Sequence, residues 1–104
     1  MSVIWSVEVE LQEWRGWHPL AARRLRRGVE SDAEVLHANG RGLEHLLLRS
    51  TPATIVVDVE ADSPGAAAAK AERAVKRALT ELRKPSGVRA WIISTDGESA
   101  PFDV

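Results

Sequence analysis

Cysteine and tyrosine are missing from this chain, and methionine and phenylalanine occur once each. Without cysteine there is no disulfide, no thiolate nucleophile, no iron–sulfur cluster and no cysteine-ligated zinc. A chain without these staples suits a reducing compartment, so a cytoplasmic setting is the expectation. Long apolar runs are also lacking. Nothing approaches the roughly 20 residues that a bilayer-spanning helix needs, and no membrane partner is expected. Residues 1–11 alternate apolar and polar side chains, unlike the basic patch and apolar block of a signal peptide. Neither sign of charge prevails: 14 Lys and Arg stand against 15 Asp and Glu, so no global field draws the chain to nucleic acid or acidic lipid.

What is present is the composition of one small globular domain. At 104 residues there is room for a single core, and 44% hydrophobic with 28% charged residues is enough to fill one. The apolar bulk is Val, Leu, Ile and Ala, with four tryptophans placed singly. Residues 1–97 are expected to form the domain, with 98–104 as a polar, mobile tail.

Val3, Trp5, Val7, Val9 and Leu11 alternate with Ile4, Ser6, Glu8, Glu10 and Gln12, the period-two pattern of a strand with one buried face. Gly16 and Pro19 break it in a loop carrying Trp14, Trp17 and His18. Pro19 then opens a helix, which its missing N–H allows. At 100° per residue Ala21, Ala22, Leu25 and Val29 share one arc, Arg23, Arg24 and Arg27 lie opposite, and Arg26 falls at the boundary. Gly28 is expected to fray this helix.

Residues 31–52 read two ways. Ser31 and Glu34 match a capping box, which would start a short helix ending at Asn39-Gly40. The same Asn-Gly pair is a strong hairpin turn, joining a strand at 34–38 to one beginning near Gly42. The hairpin is the preferred reading; residues 43–49 suit either a helix or a strand. From there the pattern is plain. A strand at 54–61 alternates Ile55, Val57 and Val59 with Val56, Asp58 and Glu60. Asp62-Ser63-Pro64 supplies an N-cap and a first-turn proline. Ala68, Ala71, Val75, Ala78, Leu79 and Leu82 form the apolar stripe of the longest helix, expected over 64–84 and ended by Pro85 and Gly87. A last strand covers 88–95.

Strand, helix, strand, strand, helix, strand predicts an α+β domain of the ferredoxin-like, split βαβ kind: an antiparallel sheet with two helices on one face. The stretch 55–78, IVVDVEADSPGAAAAKAERAVKRA, resembles small ferredoxin-like proteins of high-GC bacteria whose function is uncharacterised. In these, a strand ending in Val-Glu-Ala-Asp runs into an alanine-rich helix, and a first strand like 5–10 comes earlier. The resemblance leaves out residues 13–52, where 41–52 is longer than in those proteins. It rests on a strand end and a helix cap, so it implies a fold and transfers no site residue.

With the helices on the side of Val7, Val9, Ile55, Val57, Ala90 and Ile92, the other side of the sheet bears Ile4, Glu8, Glu10, Val56, Asp58, Glu60, Trp91 and Ile93. The expected layout gathers the carboxylates at one end and Ile4, Val56, Trp91 and Ile93 toward the other. Those four are the candidate partner-binding residues, because an exposed Trp beside Ile and Val marks a contact surface. The four carboxylates suggest a hard-cation or acid–base site, but strand faces carry Glu and Asp for solubility alone. The histidines His18, His37 and His45 lack metal-ligand spacing. No catalytic, metal or cofactor site is predicted. Arg15, Arg23, Arg24, Arg26 and Arg27 form a run without an intervening acid; with Trp14, Trp17 and His18 they make a possible basic contact surface.

The preferred function is a non-enzymatic interaction or assembly module, a homodimer or other homo-oligomer using the open sheet face, with a further protein partner possible. One alternative is a ligand-binding or enzymatic domain of the dimeric α+β barrel kind, its pocket lined by Trp5 or Trp91 and histidines. The other is a nucleic-acid binder using the arginine-rich first helix, which a sheet lacking stacking aromatics and bearing carboxylates disfavours.

Overall fold

The computed structural model describes residues 3–13, 19–41, 53–83 and 86–95. Its elements run β1 (Val3–Leu11), α1 (Pro19–Glu30), β2 (Val35–Arg41), β3 (Ala53–Ala61), α2 (Pro64–Glu81) and β4 (Val88–Thr95). The four strands make one sheet in the order β2-β3-β1-β4, every neighbouring pair antiparallel. Among the described residues no helix is long and apolar enough to cross a membrane.

The period-two pattern dictates which side of the sheet is buried. Val7, Val9 and Leu11 of β1 and Ile55, Val57 and Val59 of β3 are fully buried. They form one core with Leu25 and Val29 of α1 and with Ala67, Ala71, Ala74, Val75, Ala78 and Leu79 of α2. Each fully buried Val, Leu or Ile contributes about 1.5–3 kcal/mol by leaving water. Trp5 packs on the same side, its indole N–H donating to the Ala61 carbonyl at 3.0 Å.

Helix α2 begins as its sequence predicts. Ser63 is extended (φ −150°, ψ 158°), its hydroxyl accepts the Ala66 N–H at 3.1 Å, and Pro64 follows. Its end comes earlier than expected. Leu82 caps it, and Arg83 turns left-handed (φ 57°), donating its N–H to the Thr80 carbonyl at 3.0 Å. The left-handed turn at Arg83 ends the helix before Pro85 is reached.

Helix α1 does not fray at Gly28 but runs on to Glu30. Glycine serves another purpose there: a Cβ at position 28 would lie 3.1 Å from the Cβ of Ala78, so two small residues let the helices touch. Ser31 starts no second helix. Its hydroxyl donates to the Gly28 carbonyl at 2.7 Å. Asp32 then shapes the turn, accepting the Glu34 N–H at 2.9 Å on its carboxylate and the Val35 N–H at 3.1 Å on its carbonyl.

Asn39-Gly40 is not the hairpin turn. It lies inside β2, with Asn39 opposite Val56 and Gly40 opposite Ile55. The pairing with β3 overrides the local turn preference of Asn-Gly, and β2 continues to Arg41. Residues 43–49 and the tail 98–104 lie outside the described residues. Both outer strands are irregular. Leu36 is an extra residue between the pairs Val35–Val59 and His37–Asp58, and Ile93 between Ser6–Ser94 and Val7–Ile92. At the β2 edge the Glu30 carboxylate accepts the Ala38 N–H at 3.3 Å and lies 3.4 Å from His37 Nδ1.

Candidate functional site: the open sheet face

Strand register turns the outward residues into four rows. Glu60 lies beside Ile4; then come His37, Asp58, Ser6 and Ser94; then Val56, Glu8 and Trp91; then Thr54, Glu10 and Arg89. Ile4 and Trp91 are each 36% exposed, high values for large apolar side chains within a sheet. None of Ile4, Val56, Trp91 or Ile93 packs against the core.

The expected separation of carboxylates from apolar residues does not occur. Glu8 sits between Val56 and Trp91 in one row, and Glu60 sits beside Ile4. With strands about 4.8 Å apart, Val56 and Trp91 stand two strand spacings from each other, across Glu8. Ile93, assigned to this face by simple alternation, is the extra residue of the β4 irregularity, so alternation does not carry through it. The face is a mosaic of single apolar side chains bordered by carboxylates. Within it the Ser6 hydroxyl donates to Asp58 Oδ1 at 2.7 Å, which fixes that carboxylate in place.

Among the described residues no three His, Asp or Glu side chains converge to hold a metal ion. Trp5 belongs to the helix-covered side and so cannot line a pocket between paired open faces; Trp91 is on the open side. His37 is exposed at the β2 edge. Trp14, Arg15, Trp17, His18 and His45 lie outside the described residues.

The second candidate surface is the outer side of α1. Arg23, Arg24 and Arg27 are exposed and Arg26 is half-buried, while Leu25 and Val29 point into the core. None of the four arginines enters an ion pair among the described residues. Those on α2 behave otherwise. Arg77 reaches Asp32 at 3.1 Å, Arg73 reaches Glu34 at 3.3 Å, and Lys70 lies 3.5 Å from Glu34. Periodicity places the arginines of both helices outside; which of them meet an acid depends on the turn between α1 and β2, and no local pattern reveals that.

A third polar group sits where β1 ends. The Glu13 carboxylate accepts the Ser86 hydroxyl at 2.7 Å and the Gly87 N–H at 2.6 Å, and the Gln12 N–H donates to the Gly87 carbonyl at 2.9 Å. These bonds, the Ser86 hydroxyl first, hold the Glu13 pKa below its ordinary value of 4.5. They tie the exit of β1 to the start of β4 and thereby fix the register of the strand that carries Trp91. Sequence reasoning passed over Glu13 because its partners lie more than seventy residues away.

No family model matches the chain, and no curated protein or solved structure is significantly similar to it.

Proposed function

We propose that this domain is a non-enzymatic interaction or assembly module of ferredoxin-like fold that self-associates through its open sheet face. The order β2-β3-β1-β4, with every neighbour antiparallel and both helices joined to one core, supports the fold assignment. One observation carries the function: Ile4 and Trp91 stand 36% exposed on the sheet side away from the helices. An aromatic ring flanked by polar groups is the usual anchor of a protein contact, its apolar area covered and its rim hydrated.

Light scattering coupled to gel filtration, over a range of concentrations, tests this reading. The unaltered protein is expected to associate, and Trp91→Ala to weaken association by about 2 kcal/mol, roughly thirtyfold. Circular dichroism of the variant checks that the sheet is retained. A monomer at every concentration ends the proposal.

A further inference from the structure

We infer that the surface receiving the sheet face of one copy is the arginine face of α1 on the next, so that the copies stack head to tail. This rests on the self-association just proposed and specifies its geometry. The open face carries Glu8, Glu10, Asp58 and Glu60, and among its described side chains Arg89 is the one cation of fixed charge. Two such faces laid together would bring four carboxylates of each copy into one desolvated layer. Like charges brought together in a contact oppose it strongly.

The outer side of α1 offers the complement. Arg23, Arg24 and Arg27 are exposed, and no described acid is paired with them. Leu25 and Val29 turn the opposite arc of that helix into the core, which lies on the covered side of the sheet. The acidic and basic surfaces therefore look away from each other. They cannot meet within one copy, but they can meet between two.

The mosaic also suits arginine in its chemistry. The apolar residues of the face stand singly with carboxylates beside them, which is a poor match for a broad apolar partner. An arginine side chain has both halves of what such a surface needs. Its stem covers Val56 or Ile4, its planar head stacks on the Trp91 ring, and its N–H groups reach the neighbouring carboxylates. A contact between two different surfaces of the same chain leaves each end of the pair unfilled. Unless rotation closes a ring, the assembly grows.

Sedimentation velocity of the full chain at low and high ionic strength tests the geometry. The mean mass of the unaltered protein should rise with concentration without halting at a dimer, and high salt should weaken association on the order of tenfold. Arg23→Glu, Arg24→Glu and Arg27→Glu combined should weaken it more than about a hundredfold, since like charges would now face one another. Glu8→Lys with Glu60→Lys should do the same. A chain carrying all five changes has its charges exchanged and should associate again, which a misfolded variant would not do. A fixed dimer untouched by the triple arginine variant would overturn the head-to-tail arrangement and leave sheet-to-sheet pairing. A monomer throughout would remove the proposed function itself. Tight binding of a single-stranded oligonucleotide, lost in the triple variant and unaccompanied by self-association, would assign the arginines to nucleic acid instead.

Discussion

Lys70, Arg73 and Arg77 of α2 all engage acids of the turn that follows α1, whereas Arg23, Arg24, Arg26 and Arg27 of α1 engage none among the described residues. The helices otherwise have similar tasks, each crossing the same side of the sheet within a strand–helix–strand unit. The difference shows that a residue type does not settle a residue's work. On α2 the cations tie together elements distant in sequence, Arg73 and Glu34 being 39 positions apart. Among the described residues those on α1 make no such tie. The exits differ as well. Chain leaving α1 is shaped by the nearby Ser31 and Asp32, while the start of β4 is held by Glu13 from the far end of β1.

Changes at the helix contact should separate the two units most sharply. Gly28→Val on α1 forces a side chain against Ala78 and should destabilise by about 1–3 kcal/mol in urea unfolding. Gly65→Ala at the start of α2 meets open space and should be neutral or stabilising by up to about 1 kcal/mol. Equal losses from the two would break the distinction.

A middle-sized effect is expected from the ion pairs. Asp32 is 8% exposed, holds the turn and meets Arg77, so Asp32→Ala should cost about 1–2 kcal/mol. Replacing Arg23, Arg24 and Arg27 with Gln should shift stability by no more than about 0.5 kcal/mol each, as at exposed sites generally. Thermal or urea unfolding of both variants gives the comparison directly. A large loss in the arginine variant would mean that α1 uses its cations structurally after all.

The smallest effect concerns pH. Because folding lowers the Glu13 pKa, the stability that this carboxylate contributes is fully present above its ordinary value of 4.5. It is lost as pH falls through the lower value of the folded protein. Glu13→Gln removes this dependence, so the stability difference between the unaltered protein and the variant should narrow on acidification through that window. Urea midpoints measured across it will show the narrowing, and a constant difference would deny the clamp its electrostatic part.

Much of the architecture was legible in the sequence because it follows from short-range periodicity. The alternation through Val3–Leu11 and Ala53–Ala61, the Ser63-Pro64 helix start and the buried stripe at Ala71, Val75, Ala78 and Leu79 all read directly. What failed depended on partners elsewhere. Asn39-Gly40 has the chemistry of a turn, yet β3 pairs with it as strand. Gly28 reads as a helix breaker until Ala78 is seen against it. Ile4, Val56 and Trp91 were assigned to the open side by parity alone, but their interleaving with Glu8 and Glu60 follows from register between strands some fifty positions apart. That interleaving makes the face a mosaic of apolar side chains and carboxylates rather than an apolar patch.

The Glu30 carboxylate on the Ala38 amide has a consequence for aggregation. β2 is an outer strand, and a bare outer strand is a template on which foreign chains add and cross-β deposits grow. A newcomer extending this border would need the Ala38 N–H, which is already taken, and its own carbonyl would meet a negative charge. The extra residue Leu36, two positions before, bends the border away from the straight run that a ladder requires. Sideways growth is thus discouraged on this flank by a residue of the preceding helix, which guards the folded chain against strand addition at its open border.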